Sequence, residues 1–249
     1  MKVPGLRFKV PSRRHWLLLV AVLFAAVCVQ GQGTFQNLNF ESANNLPAVT
    51  LGQAVFVPVG NAFPGWTVYE GGTQQSQLIY NGVSLGAPLV TLVGTNTGYY
   101  YYGTRSTPLP LPLAGNYSAS LDNGEGGSGT AALAQTGFVP GFAKSLQFIA
   151  AADVSDSVGY LSVSFNGQNL PLFMLTPGAN YDLYGCDISV FAGQTGELRF
   201  TENLNTTPIG VAFLDNIAFS NQPVPEPATW LLLVCGAGLI GLARRQRKA

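Results

Sequence analysis

Along the middle of the chain, short runs of alternating apolar and polar residues follow one another, and each end carries a longer unbroken apolar run. Leu161, Val163 and Phe165 alternate with Ser162 and Ser164, which is the period of a strand with one buried face. Runs of this kind, bounded by Gly, Asn, Ser and Pro, predict strands over 34–40, 54–59, 66–70, 77–80, 89–93, 99–102 and 117–121. Further strands are predicted over 130–135, 145–150, 160–165, 170–175, 181–186, 196–201 and 211–219. This is more than an ordinary sandwich holds, so some are expected to be bent halves of one strand. No helix is predicted between the two end runs. Asn166-Gly167 supplies the two positive-φ positions of a tight hairpin turn, and the acidic, glycine-rich stretch 122–129 predicts an exposed loop. The pattern is that of an all-β sandwich, with a signal helix at the N-terminus and a short transmembrane helix at the C-terminus.

The end runs differ in what flanks them. At the N-terminus, Lys2, Arg7, Lys9, Arg13 and Arg14 precede the apolar residues 16–29, and small residues follow around Gly31 and Gly33. This order predicts a secretory signal peptide over 1–31. Ser12-Arg13-Arg14 also loosely resembles a twin-arginine signal, although Trp16 stands where Phe is usual, and general secretion is the favoured route. At the C-terminus, Val224-Pro225-Glu226-Pro227 leads into the uncharged run 228–243, which is stopped by Arg244, Arg245, Arg247 and Lys248. An apolar run closed by Arg and Lys predicts a membrane span whose basic end stays in the cytoplasm. Its sixteen residues reach about 24 Å as a helix, against a hydrocarbon core of roughly 30 Å, so the anchor is short.

Motif, span and basic tail at the chain end together resemble the PEP-CTERM sorting signal. The resemblance implies recognition of Pro225, Glu226 and Pro227 by an exosortase and delivery to the cell envelope or surface. The protein would be membrane-anchored before processing, with release to the extracellular matrix as a further step. The expected organisation is a signal peptide over 1–31, a β-sandwich ectodomain over 32–222 and a sorting signal over 223–249.

Setting the two ends aside changes the charge picture. The whole chain is formally neutral, but residues 32–222 hold three basic residues, Arg105, Lys144 and Arg199, against eleven acidic ones, a net charge of minus eight. Such a body carries no electrostatic footprint for nucleic acid. Its one cysteine, Cys186, has no internal disulfide partner, and the chain's one histidine, His15, lies in the signal peptide. A Ser-His-Asp triad, a Cys-His pair and a histidine-ligated zinc are therefore excluded from the body. Carboxylate pairs such as Asp153 with Asp156 or Asp182 with Asp187 formally satisfy a glycosidase, but they sit among turn residues, where Asp commonly shapes the backbone. Residues 124–129 match G-x-G-x-x-G without the strand-to-helix setting that fingerprint needs.

Asn39-Phe40-Glu41, Gly65-Trp66, the stretch 191–200 and Leu214-Asp215-Asn216-Ile217 resemble galactose-binding-like jelly rolls, which include many carbohydrate-binding modules. The resemblance implies first and last strands lying side by side, with a structural calcium ion held by Glu41 and Asp215. Trp66, Tyr99 and Tyr101 are candidate flat platforms for sugar rings, with Tyr69, Tyr181 and Tyr184 as further aromatics. The expected role is that of a non-catalytic surface or matrix protein associated with exopolysaccharide. The alternative is a carbohydrate-binding module for surface or matrix polysaccharide.

Overall fold

The computed structural model describes residues 33–50, 55–82, 87–95, 111–124, 129–152, 158, 160–203 and 210–225. Within them the alternating runs become strands β1 (Val55–Pro58), β2 (Thr67–Glu70), β3 (Thr73–Gln75), β4 (Gln77–Tyr80), β5 (Leu89–Gly94), β6 (Tyr117–Asp122) and β7 (Ala131–Phe138). They continue as β8 (Ser145–Ala152), β9 (Leu161–Phe165), β10 (Gln168–Leu170), β11 (Phe173–Thr176), β12 (Asp182–Asp187), β13 (Thr195–Glu202) and β14 (Val211–Ser220). Two sheets form a sandwich, one ordered β1-β4-β5-β6-β14-β8-β12-β11 and the other β10-β9-β13-β7-β2-β3. Pairing is antiparallel throughout the described strands except between β4 and β5.

Period-two burial explains the packing. On β13, Leu198, Phe200 and Glu202 point inward and are buried, while Glu197, Arg199 and Thr201 are partly exposed. Phe200 meets Phe148 of β8 edge to face at 5.1 Å, joining the two sheets through the core. A fully buried side chain of this size contributes about 1.5–3 kcal/mol relative to exposure. The centre of the larger sheet is buried on both faces. Ala119, Leu121, Ala212 and Leu214 enter the main core, whereas Val93, Ile149, Val211 and Phe213 lie in a second cluster with Leu111, Leu113 and Ala114. The segment 111–116 thus covers the outer face of that sheet, and it bears on the candidate site below.

Asn166 and Gly167 take φ of 49° and 77°, and Phe165 pairs with Gln168 across them, the two-residue hairpin the sequence predicts. Elsewhere the structure departs from expectation. Residues 34–40 form no strand. Thr34 makes one parallel bridge to Phe138, after which Asn37 and Phe40 adopt positive φ in a turn. Phe40 is held in that uncommon conformation by complete burial, with its ring 5.3 Å from Phe63 and 5.8 Å from Trp66. The segment still lies against the last strand, because Ile217 N–H donates to Leu38 O at 2.9 Å and Phe35 packs on Phe219.

The run 170–175 divides at Pro171, which cannot donate to a ladder, and its pieces β10 and β11 join different sheets. The described strands are therefore separate, not halves of bent ones. A four-residue helix, α1 (Val59–Ala62), and the 3₁₀ turn Ser189–Phe191 are too short to show a helical period in sequence. Asp122 and Asn123 are buried instead of opening an exposed loop. Among the described residues no helix is long and apolar enough to cross a membrane. The predicted signal peptide and span lie outside the described residues.

Candidate functional site

The chain leaves the sandwich from the end of β14, and this exit is fastened. Lys144 N–H donates to Ser220 O at 2.8 Å, and Ser145 Oγ–H donates to Gln222 O at 2.7 Å. Val224 and Pro225 follow without regular structure, and Pro225 is exposed. Glu226, Pro227 and the basic residues Arg244, Arg245, Arg247 and Lys248 lie outside the described residues.

Glu41 and Asp215 come together, but around donors. A bulge in β14 after Asp215, with Asn216 at φ 49°, turns the Asp215 carboxylate onto the covering segment. Its Oδ2 accepts from Ser118 Oγ at 2.8 Å and Ala114 N at 3.3 Å, and its Oδ1 accepts from Asn216 N at 2.6 Å. Ser118 Oγ in turn accepts from Leu113 N at 2.8 Å. Glu41 Oε1 accepts from Asn116 N at 2.7 Å and Tyr117 N at 3.0 Å, while Oε2 accepts from Asn116 Nδ2 at 2.9 Å. Gly115 between them has φ +59°, and a Cβ there would meet the Glu41 carboxylate, so a larger residue would strain the backbone and push Glu41 aside.

Burial raises the Asp215 carboxyl to about 7 against the pull of its three hydrogen bonds, and the nearby Glu41 charge adds a further raise. Together the two carboxylates clamp residues 113–117 onto the sheet. Each of the four carboxylate oxygens accepts at least one N–H or O–H bond, so both acids are engaged in holding this segment. Among the described residues no three His, Cys, Asp or Glu side chains gather as a metal cage.

A second acidic pair stands at the opposite end of the sandwich from the chain exit. Asp122 ends β6 and Glu202 ends β13, and they are 3% and 2% exposed. Asn123, fully buried between them, ties the surrounding strands together. Its N–H donates to Gly210 O at 3.1 Å and its C=O accepts from Gly129 N at 3.2 Å, while its Oδ1 accepts from Gly210 N at 2.8 Å and its Nδ2 donates to Asn203 O at 2.9 Å. Glu202 Oε2 is buried without a hydrogen-bond partner. Burial, with the Asp122 charge adding to it, pushes the Glu202 carboxyl up to about 8. Sequence reasoning missed this pair, although the alternation of β13 places Glu202 on the core face shared by Leu198 and Phe200.

The remaining candidates disperse. Trp66, a predicted sugar platform, is a core residue. It is 4% exposed, its Nε1–H donates to Asn37 O at 3.0 Å, and its ring lies between Phe40 and Phe200, leaving no face for a ligand. Tyr99 and Tyr101 lie outside the described residues, as do Asp153 and Asp156. Tyr69 is covered by the Arg199 guanidinium, 4.2 Å from the ring centroid. Tyr184 is buried against Phe148, whereas Tyr181 is partly exposed.

Asp182 and Asp187 stand at opposite ends of β12, and each caps a local turn by accepting from Gly178 N and Ser189 N. They are therefore no catalytic pair. Gly129 is followed by strand β7, not by a helix, so the dinucleotide fingerprint lacks its setting. Burial pushes the Cys186 thiol up to about 12, which leaves it protonated and unreactive.

Comparison with known proteins places one part of the chain. Residues 223–248 match the family described as the PEP-CTERM protein-sorting motif. The motif marks an exported protein sorted by an exosortase, with a membrane-anchored precursor at the cell envelope. No curated protein matches the chain. Among solved structures, the crystal structure of the bacteriophage CBA120 tailspike protein 4 enzymatically active domain shares 17% identity at a TM-score of 0.32. The match covers 63% of this chain and 19% of that one, so this chain spans about a fifth of its length. At that score the likeness carries no argument.

Proposed function

We propose that the protein is a non-catalytic component of the cell surface or extracellular matrix, working in a setting rich in exopolysaccharide. The observation that carries this reading is the sorting motif over 223–248, attached directly to the fastened end of β14. A sandwich delivered in this way acts through its surface and its position. The side-chain chemistry agrees. Glu41 and Asp215 are engaged in holding a loop, Asp182 and Asp187 in shaping turns, and the Cys186 thiol is held protonated.

The test is cell fractionation with intact-mass measurement on the exported protein. The expected result is loss of the residues C-terminal to the Pro-Glu-Pro motif, with recovery in a surface or matrix fraction that polysaccharide hydrolysis releases. An unprocessed tail in a cell that contains an exosortase overturns the sorting step. Tight binding on a glycan array would replace the structural role with polysaccharide recognition.

A further inference from the structure

The end of the sandwich from which the sorting segment leaves is also where large apolar side chains stand out of the surface. Phe142, in the connection from β7 to β8, is 61% exposed, and Val190, in the 3₁₀ turn after β12, is 66% exposed. The β8–β12 ladder brings them to one place. Its last pair is Asp187 with Ser145, and Ile188 N–H continues it by donating to Lys144 O at 3.1 Å. Phe142 and Val190 lie two residues beyond that bond on either side. Gly193 N–H donating to Val139 O and Val139 N–H donating to Gln194 O, both at 2.9 Å, bind the two connections together. Lys144, one of three basic residues in 32–222, is exposed beside them.

The same Lys144 and its neighbour Ser145 hold the departing chain through Ser220 and Gln222. Five residues separate Gln222 from the start of the apolar run at Ala228, a leash of at most about 20 Å. Phe142 is three residues from Ser145, within about 10 Å of the fixing point. Whenever the apolar run lies in a bilayer, this end of the sandwich is held at the bilayer surface. Large apolar side chains flanked by a lysine suit the interfacial layer, where rings enter the acyl boundary and an ammonium meets anionic headgroups.

We propose that the connections 139–144 and 188–194 form a lipid-facing foot, with Phe142 and Val190 entering the bilayer that holds the chain's own C-terminal segment. The proposal rests on reading that segment as a membrane anchor. The foot fixes the body's orientation, so the opposite end, with Asp122 and Glu202, faces away from the membrane. It also sets the sorting motif at the membrane surface.

The test uses the chain from residue 32 to its C-terminus, without the predicted signal peptide whose own apolar run would float it, and with Trp230 replaced by Phe so that buried Trp66 is a constant background. Phe142→Trp and Val190→Trp report the foot. Tyr160→Trp, at a 40% exposed position beside β9 at the opposite end, is the control. Each variant is reconstituted into phosphatidylglycerol-containing vesicles with and without brominated acyl chains. The expected result is blue-shifted emission quenched by bromolipid at positions 142 and 190, with emission at 160 unchanged. Vesicle flotation separates the two levels of the reading. Failure to float removes anchor and foot together, while floating without quenching at 142 and 190 removes the foot alone. A blue shift that persists without quenching assigns the patch to a second copy or another protein and overturns the proposal, as does equal quenching at 160.

Discussion

Asp215 and Glu202 are both acids buried inside one sandwich, 1% and 2% exposed, yet their surroundings are opposite. Asp215 sits at a bulge in the middle of the larger sheet, where three donors converge on its two oxygens. Glu202 ends a strand of the smaller sheet with Oε2 facing no donor, and Asp122 nearby adds charge of the same sign. The difference teaches that burial does not assign a role to a carboxylate; the donors around it do. An acid surrounded by N–H groups is a fastener, whereas one without them is a cost that the fold carries.

The sharpest way to break this comparison is to remove the fastener. Asp215→Ala leaves Ala114 N–H and Ser118 Oγ–H without their acceptor beneath the covering segment. Loss of a buried acceptor with its donors stranded is expected to cost about 3 kcal/mol in unfolding free energy. Denaturant titration measures it, and a loss below about 1 kcal/mol would show that the 113–117 segment is held by other means.

What the sequence made legible follows the same division. Strand alternation and the Asn166-Gly167 turn depend on neighbours in the chain, so β9, β10 and their hairpin were readable from residues 161–170 alone. The sorting tail was readable because its motif is contiguous. Proximity of Glu41 to Asp215 was also foreseen, but its purpose was not, since the donors come from Asn116 and Tyr117 about 75 positions away from Glu41. Trp66 after Gly65 looks the same in sequence whether its ring faces solvent or the core; Phe40 and Phe200, distant in the chain, decide it. Residues 34–40 carried a strand-like pattern because their apolar members do pack, but against a turn whose positive φ values no alternation reveals.

The pH dependence sharpens the comparison from the other side. For both acids the folded carboxyl lies above its unfolded value, about 7 against 3.8 for Asp215 and about 8 against 4.5 for Glu202. The folded state therefore holds protons that the unfolded state has released. Their contribution to stability is fully present below about pH 4 and is lost as pH rises, until about 7 for Asp215 and about 8 for Glu202. Unfolding free energy should decline from mildly acidic to mildly alkaline pH. Glu202→Gln keeps the shape and removes the charge, so it should match the wild type near pH 4 and exceed it by about 2 kcal/mol at pH 8.5. A wild-type profile that rises over this range, or a glutamine variant parallel to it, would contradict the environment assigned to Glu202.

The smallest effect tests whether Glu41 and Asp215 act as one device. Glu41 is partly exposed, and water can replace it at Asn116 N and Tyr117 N, so Glu41→Ala alone should cost about 1 kcal/mol. Both carboxylates grip the same few residues, with the positive-φ Gly115 between their attachment points. Once Asp215 is gone, the segment has lost its inner hold and Glu41 has less left to secure. The double variant should therefore lose less than the two single changes added together, by about 0.5 kcal/mol or more. Strict additivity would mean that Glu41 fastens the edge of the segment independently of the buried centre, and that the clamp is two local contacts instead of one coupled closure.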